Sequence, residues 1–278
     1  MFRLRYVLPL VAVLAAGTIL YVKICTAERQ TIGDGVPASL RVSMDEGIDH
    51  AVWDGLLKKY VDGRGMVNYA AWKDSVADRG ALKAYLASLS KADPKKNASR
   101  AGRLAFWINA YNALTIHGIL EKYPTASIKD HVSYFGGYNI WKDLLLPVGD
   151  EKYSLHAMEH EVLRKMSEPR IHFAIVCASI GCPRLLAEAY TPQKLEQQLE
   201  VNTRAFFADR AKFNYDVGSR TLYVSPILDW FPEDFGRDQA ELQTAIAPYL
   251  PDQASRELAA SGSARLSYLD YDWNLNEQ

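Results

Sequence analysis

The sequence predicts a mixed α/β fold of the α+β kind: one helix-rich single domain around a small sheet, behind an N-terminal signal or anchor helix. Three observations predict it. Apolar residues recur at helix spacing through most of the chain, a β-rich run RIHFAIVCAS stands at 170–179, and an unbroken apolar stretch fills the extreme N-terminus.

That stretch comes first. Arg3 and Arg5 precede an uncharged apolar run from Tyr6 to Val22, which ends at Lys23. A positive start followed by an apolar run is the pattern of a secretory signal or uncleaved signal anchor. Cys25-Thr26-Ala27 offers small residues to a signal peptidase, and the positive-inside rule sends the bulk of the chain outward. The expected organisation is 1–27 signal or anchor, 28–44 polar tether, and 45–278 extracytoplasmic domain, held to the membrane through its N-terminal segment or secreted.

From Asp45, the residues Ile48, Val52, Leu56, Leu57 and Tyr60 predict a helix, ended by Gly63 and Gly65. Val67-Asn68-Tyr69 reads as a short extended piece. Asp74 to Leu89 is a second amphipathic helix, with Val76, Leu82, Tyr85, Leu86 and Leu89 inward. Ser99 caps a third, running to Tyr123 before Pro124. This one, LAFWINAYNALTIHGIL, is apolar nearly all round and is expected at the centre.

Residues 125–153 carry turn signals and aromatics. Ser154 caps a helix to about Met166, and RIHFAIVCAS follows as the clearest buried strand. Pro183 suits the first position of a short helix, and Thr191-Pro192 opens another to about Ala208. Lys212–Tyr215 and Thr221–Val224 read as a hairpin. A helical tail from Gln239 to Ala260 precedes an extended piece, Ala264 to Tyr271.

The charge balance is nearly even: 32 basic residues against 33 acidic, with no basic excess to bind nucleic acid. An apolar fraction of 49% with 16 tyrosines suits a packed core. There are three cysteines, and Cys25 falls in the export segment. Cys177 and Cys182 then form a disulfide, or one is a functional thiol; the spacing leaves both open.

Cys182 carries the sharper chemistry. At the N-cap of the predicted short helix, unpaired N–H groups and the helix dipole would lower its thiol pKa. His172, opening the preceding strand, or His160 would be its base, and the amide of Asn109 would orient a histidine or polarise a carbonyl. Asn112, Arg164, Arg170 and Ser179 are candidate substrate contacts, the arginines through bidentate carboxylate binding. The structural alternatives are a small residue in a tight turn, amides bracing loops, and arginines in ion pairs. His156, Glu159 and His160 spell H-x-x-E-H, a zinc-hydrolase signature that lacks an obvious third ligand. No metal or other cofactor is expected.

Five stretches carry a resemblance: LAFWINAYNALTIHGIL, SLHAMEHEVLR, EPRIHFAIVCASIGCPRLL, AYTPQKLEQQLEVNTRAFFADR and LYVSPILDWFPEDFG. Together, over roughly residues 100–236, they resemble the domain of unknown function 547 family. The resemblance implies that Asn109, Tyr111, Asn112, Glu159, His160, Arg164, Pro169, Arg170, His172, Cys177, Ser179, Cys182, Pro183, Asp234 and Phe235 gather in one place. His156 is outside the pattern, and no biochemical activity comes with the family. A central helix followed by a strand that begins with histidine is also distantly similar to papain-like and transglutaminase-like thiol enzymes. Their nucleophile opens the helix, where Phe106, Trp107 and Asn109 stand here.

Two functions remain. One is a cysteine-dependent hydrolase or acyltransferase on an amide or ester, using Cys182, His172 or His160, and Asn109. The other is a module without chemistry, whose pocket holds a small molecule or peptide.

Overall fold

The architecture is organised by one long helix. The computed structural model describes residues 29–45, 47–133 and 137–278; residues 1–27, expected as a signal or anchor, lie outside them. Three helices open the fold: α1 (Ala51–Tyr60), α2 (Tyr69–Asp74) and α3 (Val76–Leu89). On α1 Leu56, Leu57 and Tyr60 face inward as expected, and Trp53 takes the inward place expected of Val52, which is exposed. Val76 is likewise exposed, because it is the first residue of α3 and precedes the packed turns.

The central helix α4 (Arg100–Lys122) begins where Ser99 Oγ accepts the Gly102 N–H at 2.9 Å. Every residue from Leu104 to Leu120 is buried, which requires neighbours on all sides. At Gly118 a Cβ would stand 2.7 Å from Ile140 Cδ1 and 2.8 Å from Leu144 Cδ2, so the glycine lets these side chains pack close against α4. Among the described residues no helix is long and apolar enough to cross a membrane.

Two three-stranded sheets flank this core rather than one. In the first, β2 (Leu144–Val148) pairs antiparallel with β3 (Glu151–Ser154) and parallel with β1 (Gln30–Thr31). Residues 125–153 thus contain a hairpin that reads as turn in sequence; Gly149, at φ +64°, supplies the tight turn. The polar segment expected as a tether in fact packs: Gln30 lies opposite Leu144, Val42 bridges Ala92, and Ile32 and Met44 are buried.

The second sheet holds the expected hairpin β4 (Phe213–Asp216) and β5 (Thr221–Val224), with β6 (Arg265–Tyr268) parallel to β5. Around it lie α5 (Leu195–Ala208), α6 (Gln239–Ile246) and α7 (Gln253–Ala260). The helical tail is broken between α6 and α7, at Pro248 and Pro251. Phe173, Phe206, Phe207 and Phe213 form the heart of this second core.

The predicted strand at 170–179 is not a strand. Pro169–Phe173 is a tight helical turn capped by Glu168, and the chain beyond it is irregular. Side-chain amides replace the missing ladder. Asn202 Nδ2 donates to Phe173 O at 2.7 Å, Asn112 Nδ2 donates to Ala174 O at 3.0 Å, and Val176 N–H donates to Asn112 Oδ1 at 2.9 Å. A buried backbone must find partners, and asparagines serve where no strand lies alongside. The short helix expected after Pro183 is also absent, the chain there being loop.

Candidate functional site

The 155–166 segment enters under the Ser154 cap, where Ser154 Oγ accepts the Ala157 N–H. It then widens into a π-type turn over Met158–Leu163. Such turns recur at functional sites because they re-aim single side chains. Here Glu159 faces the cavity and accepts from the Tyr111 hydroxyl at 3.3 Å, while His160 turns away from it to accept from Arg164 Nη1 at 3.0 Å.

The tight turn Pro169–Phe173 places the buried His172 ring flat against Phe231, centroids 4.4 Å apart. Its Nε2 lies 2.7 Å from Asp234 Oδ2. Asp234 also accepts from Arg164 Nε at 2.6 Å, and Arg164 reaches Glu233 as well. Arg164 is therefore committed to a carboxylate pair and braces the histidine from behind. Arg170 is committed in the same way, to Glu168 at 2.7 Å and to Glu196 at 2.5 Å.

Cys177 and Cys182 are joined as a disulfide. Cys182 in this state presents no thiolate, and the helix N-terminus that would have activated one is missing. Ala178, inside the loop, holds φ +62°. The C-terminal chain stitches this loop down: Ile180 N–H donates to Asn274 O, Gly181 N–H to Asp272 O, and Asn276 N–H to Ala178 O. A Cβ at Gly181 would meet Asp272 O and the Tyr271 ring at 2.9 Å, so the approach needs glycine. The stitching delivers Tyr271, whose hydroxyl donates to Cys182 Sγ at 3.1 Å and accepts from Ser179 Oγ at 3.1 Å.

These groups surround one cavity of about 160 Å³. Glu159, His172 and the disulfide form its polar part. Tyr111, Trp141, Trp230, Phe231, Tyr271 and Trp273 supply aromatic walls. Of the residues expected to converge, His172 and Cys182 line it and Ser179 stands just behind. Asn112 is engaged beneath, holding the 174–176 backbone. Asn109 does not line it: its amide donates to Tyr190 O at 2.8 Å and its carbonyl accepts the Tyr190 N–H at 2.9 Å. Both asparagines brace loops over α4.

The H-x-x-E-H signature does not assemble. His156 is exposed and its ring lies tilted against His160, centroids 4.3 Å apart, while Glu159 faces the cavity. Among the described residues no group of three or more His, Cys, Asp or Glu side chains is placed to hold a metal ion.

The local field is uneven. Burial pushes the Asp234 carboxyl up, but hydrogen bonds from His172 and Arg164, with their charges, outweigh it and hold the group down at about 2. Burial raises Glu159, and the nearby His172 and the Tyr111 hydroxyl offset only part of that rise. Burial lowers His160, and His156 and Arg164 lower it further. The cavity thus has one carboxyl on its wall, Glu159, with its pKa raised, while the acidic Asp234 stands behind the wall, bonded to His172.

Residues 95–207 match the family model described as a protein of unknown function, DUF547. This stretch is a DUF547 domain. No curated protein and no solved structure matches the chain. The DUF547 match contains Tyr111, Glu159, His172 and both cysteines, and so covers the floor of the cavity. Trp230, Phe231, Tyr271 and Trp273 fall beyond residue 207 and form its mouth, and Asp234, bonded to His172, also lies beyond the match.

Only half of the mouth was legible in sequence. Asp229–Phe235 reads as an aromatic-acidic lid or core plug, but Tyr271-Asp272-Trp273 gives no local sign of its partners, because the pairing that brings it to Gly181 is about 90 residues long-range in the chain. Glu159 stands out in sequence through the zinc signature and the family resemblance.

Proposed function

We propose that this chain is an extracytoplasmic binding module, whose pocket takes a small molecule or a peptide end against Glu159 and His172. One observation carries the reading: the cavity is walled by a disulfide where a thiol enzyme needs a free thiolate. Ligand pockets are mostly apolar, with a few convergent polar groups, and this cavity has that composition. The disulfide also suits an oxidising compartment, in agreement with Arg3, Arg5 and the apolar run.

A second reading rests on one feature. Cys182 and His172 line the same cavity, and His172 has an Asp234 partner at 2.7 Å as the base of a triad does. Reduction of the disulfide would then release a cysteine-dependent hydrolase or acyltransferase.

One comparison on the full chain separates the two. Thermal shift against panels of small amines, acids, sugars and short peptides is run beside hydrolysis of p-nitrophenyl acetate, each before and after reduction. The binding module predicts ligand-dependent stabilisation of the oxidised chain, weakened by Trp230→Ala, with no turnover in either state. Turnover that appears on reduction and disappears in Cys182→Ser would select the thiol enzyme.

A further inference from the structure

The cavity wall restricts the charge of what can enter. Among the described residues no lysine or arginine lines it; Arg164 is tied to Glu233 and Asp234 behind His172, and Arg184, beside the lining Pro183, to Asn202 and Gly63 O. Glu159 is the one carboxyl among the lining residues, and its sole protein partner is the long bond from Tyr111. Few other polar groups are free. The Tyr271 hydroxyl is engaged by Ser179 and Cys182, and His172 Nε2 by Asp234. A sugar would find too few hydrogen-bond partners, and an anion would find no lysine or arginine on the cavity wall, Lys129 lying outside it against Trp273.

The mouth offers electron-rich faces instead. Trp230, Tyr271 and Trp273 cluster with centroids 4.5 to 5.7 Å apart. Trp230 is 42% exposed, unusual for so large an apolar side chain. A cation is already drawn to the cluster: Lys129 Nζ stands 4.0 Å from the Trp273 centroid. Aromatic faces attract ammonium groups, and a desolvated carboxylate at the end of the path adds a charge partner.

We infer that the pocket recognises a small organic cation, its ammonium head between the Trp230–Tyr271–Trp273 cluster and the Glu159 carboxylate. This rests on the binding-module reading and names the ligand class that reading leaves open. Lys129 competes for the same ring, so its removal strengthens the attraction.

Three probes of one shape test it: choline, its uncharged carbon analogue dimethylbutanol, and the carboxylate dimethylbutanoate. Each is titrated calorimetrically into the oxidised full chain. Choline is expected to bind at least about tenfold more tightly than dimethylbutanol, with dimethylbutanoate weakest. Glu159→Gln should abolish the difference between choline and dimethylbutanol, Glu159→Asp should keep part of it, and Lys129→Ala should tighten choline. Trp230→Ala alters an exposed ring and so leaves the fold intact; it should weaken choline several-fold. Equal or tighter binding of dimethylbutanol or dimethylbutanoate overturns the cation inference and leaves the binding module standing. No binding of any of the three also overturns the cation inference, and the binding module falls with it only if the wider ligand panel likewise fails to stabilise the oxidised chain.

Discussion

Asp234 is the residue on which the site's geometry converges, since it holds both His172 and Arg164. Its folded pKa, about 2, lies below its ordinary 3.8. Its stabilising contribution is therefore complete above pH 4 and is lost as pH falls toward about 2. Glu159 works in the opposite sense: its folded pKa is raised, so acidification through that pKa relieves a buried charge. Denaturant titrations across this range should show Asp234→Asn less stable by about 1–2 kcal/mol at pH 7, after allowance for solvent screening. The variant should also lose part of the acid-dependent decline between pH 4 and 2. An unchanged acid profile in Asp234→Asn would place that decline elsewhere. At Asn112 the account predicts a larger cost. Its amide holds Ala174 O and Val176 N–H in the core. Asn112→Ala leaves both without a partner and should cost about 2–4 kcal/mol in chemical denaturation.

At the scale of elements, α4 is the part whose removal the fold tolerates least. Leu114 is fully buried at its middle, and Leu114→Ala should lose about 2–5 kcal/mol in chemical denaturation. A loss under about 0.5 kcal/mol would mean that α4 does not organise the core. This helix was legible in the sequence because its cap, its stop and its apolar face all agree: Ser99, Pro124 and the run between them. The 213–224 hairpin was legible for the same reason, its two apolar strands flanking a Gly-Ser turn. The 170–179 run was misread because β-branched composition reports a buried extended chain, not what pairs with it. The partners are Asn112 and Asn202, whose roles no local pattern reveals. On α1 and α3 both period and register were right, and only Val52 and Val76, near the helix starts, proved exposed. His172 and Cys182 were found because titratable groups within an apolar run stand out. Trp230 and Trp273 were not, since an aromatic in a loop reads as core unless its exposure is known.

For the whole molecule, two cores meet at the disulfide loop and the C-terminal chain laid along it. Tyr271 packs against both clusters, and its hydroxyl touches Ser179 and Cys182. The double variant Cys177→Ser/Cys182→Ser should then lose about 2 kcal/mol, the loop-entropy contribution of so short a closure, without losing the pocket. A disulfide at this place makes the cavity wall inert, and the binding reading depends on that. Both cysteines fall between Arg170 and Arg184, in the tryptic peptide 171–184. The most direct test is therefore the mass of that peptide from the full chain, alkylated while denatured and without reductant. The account predicts an unalkylated peptide lighter by two hydrogens than the dithiol. A peptide alkylated at both Cys177 and Cys182 would contradict it, and would return Cys182 to the role of a nucleophile facing His172.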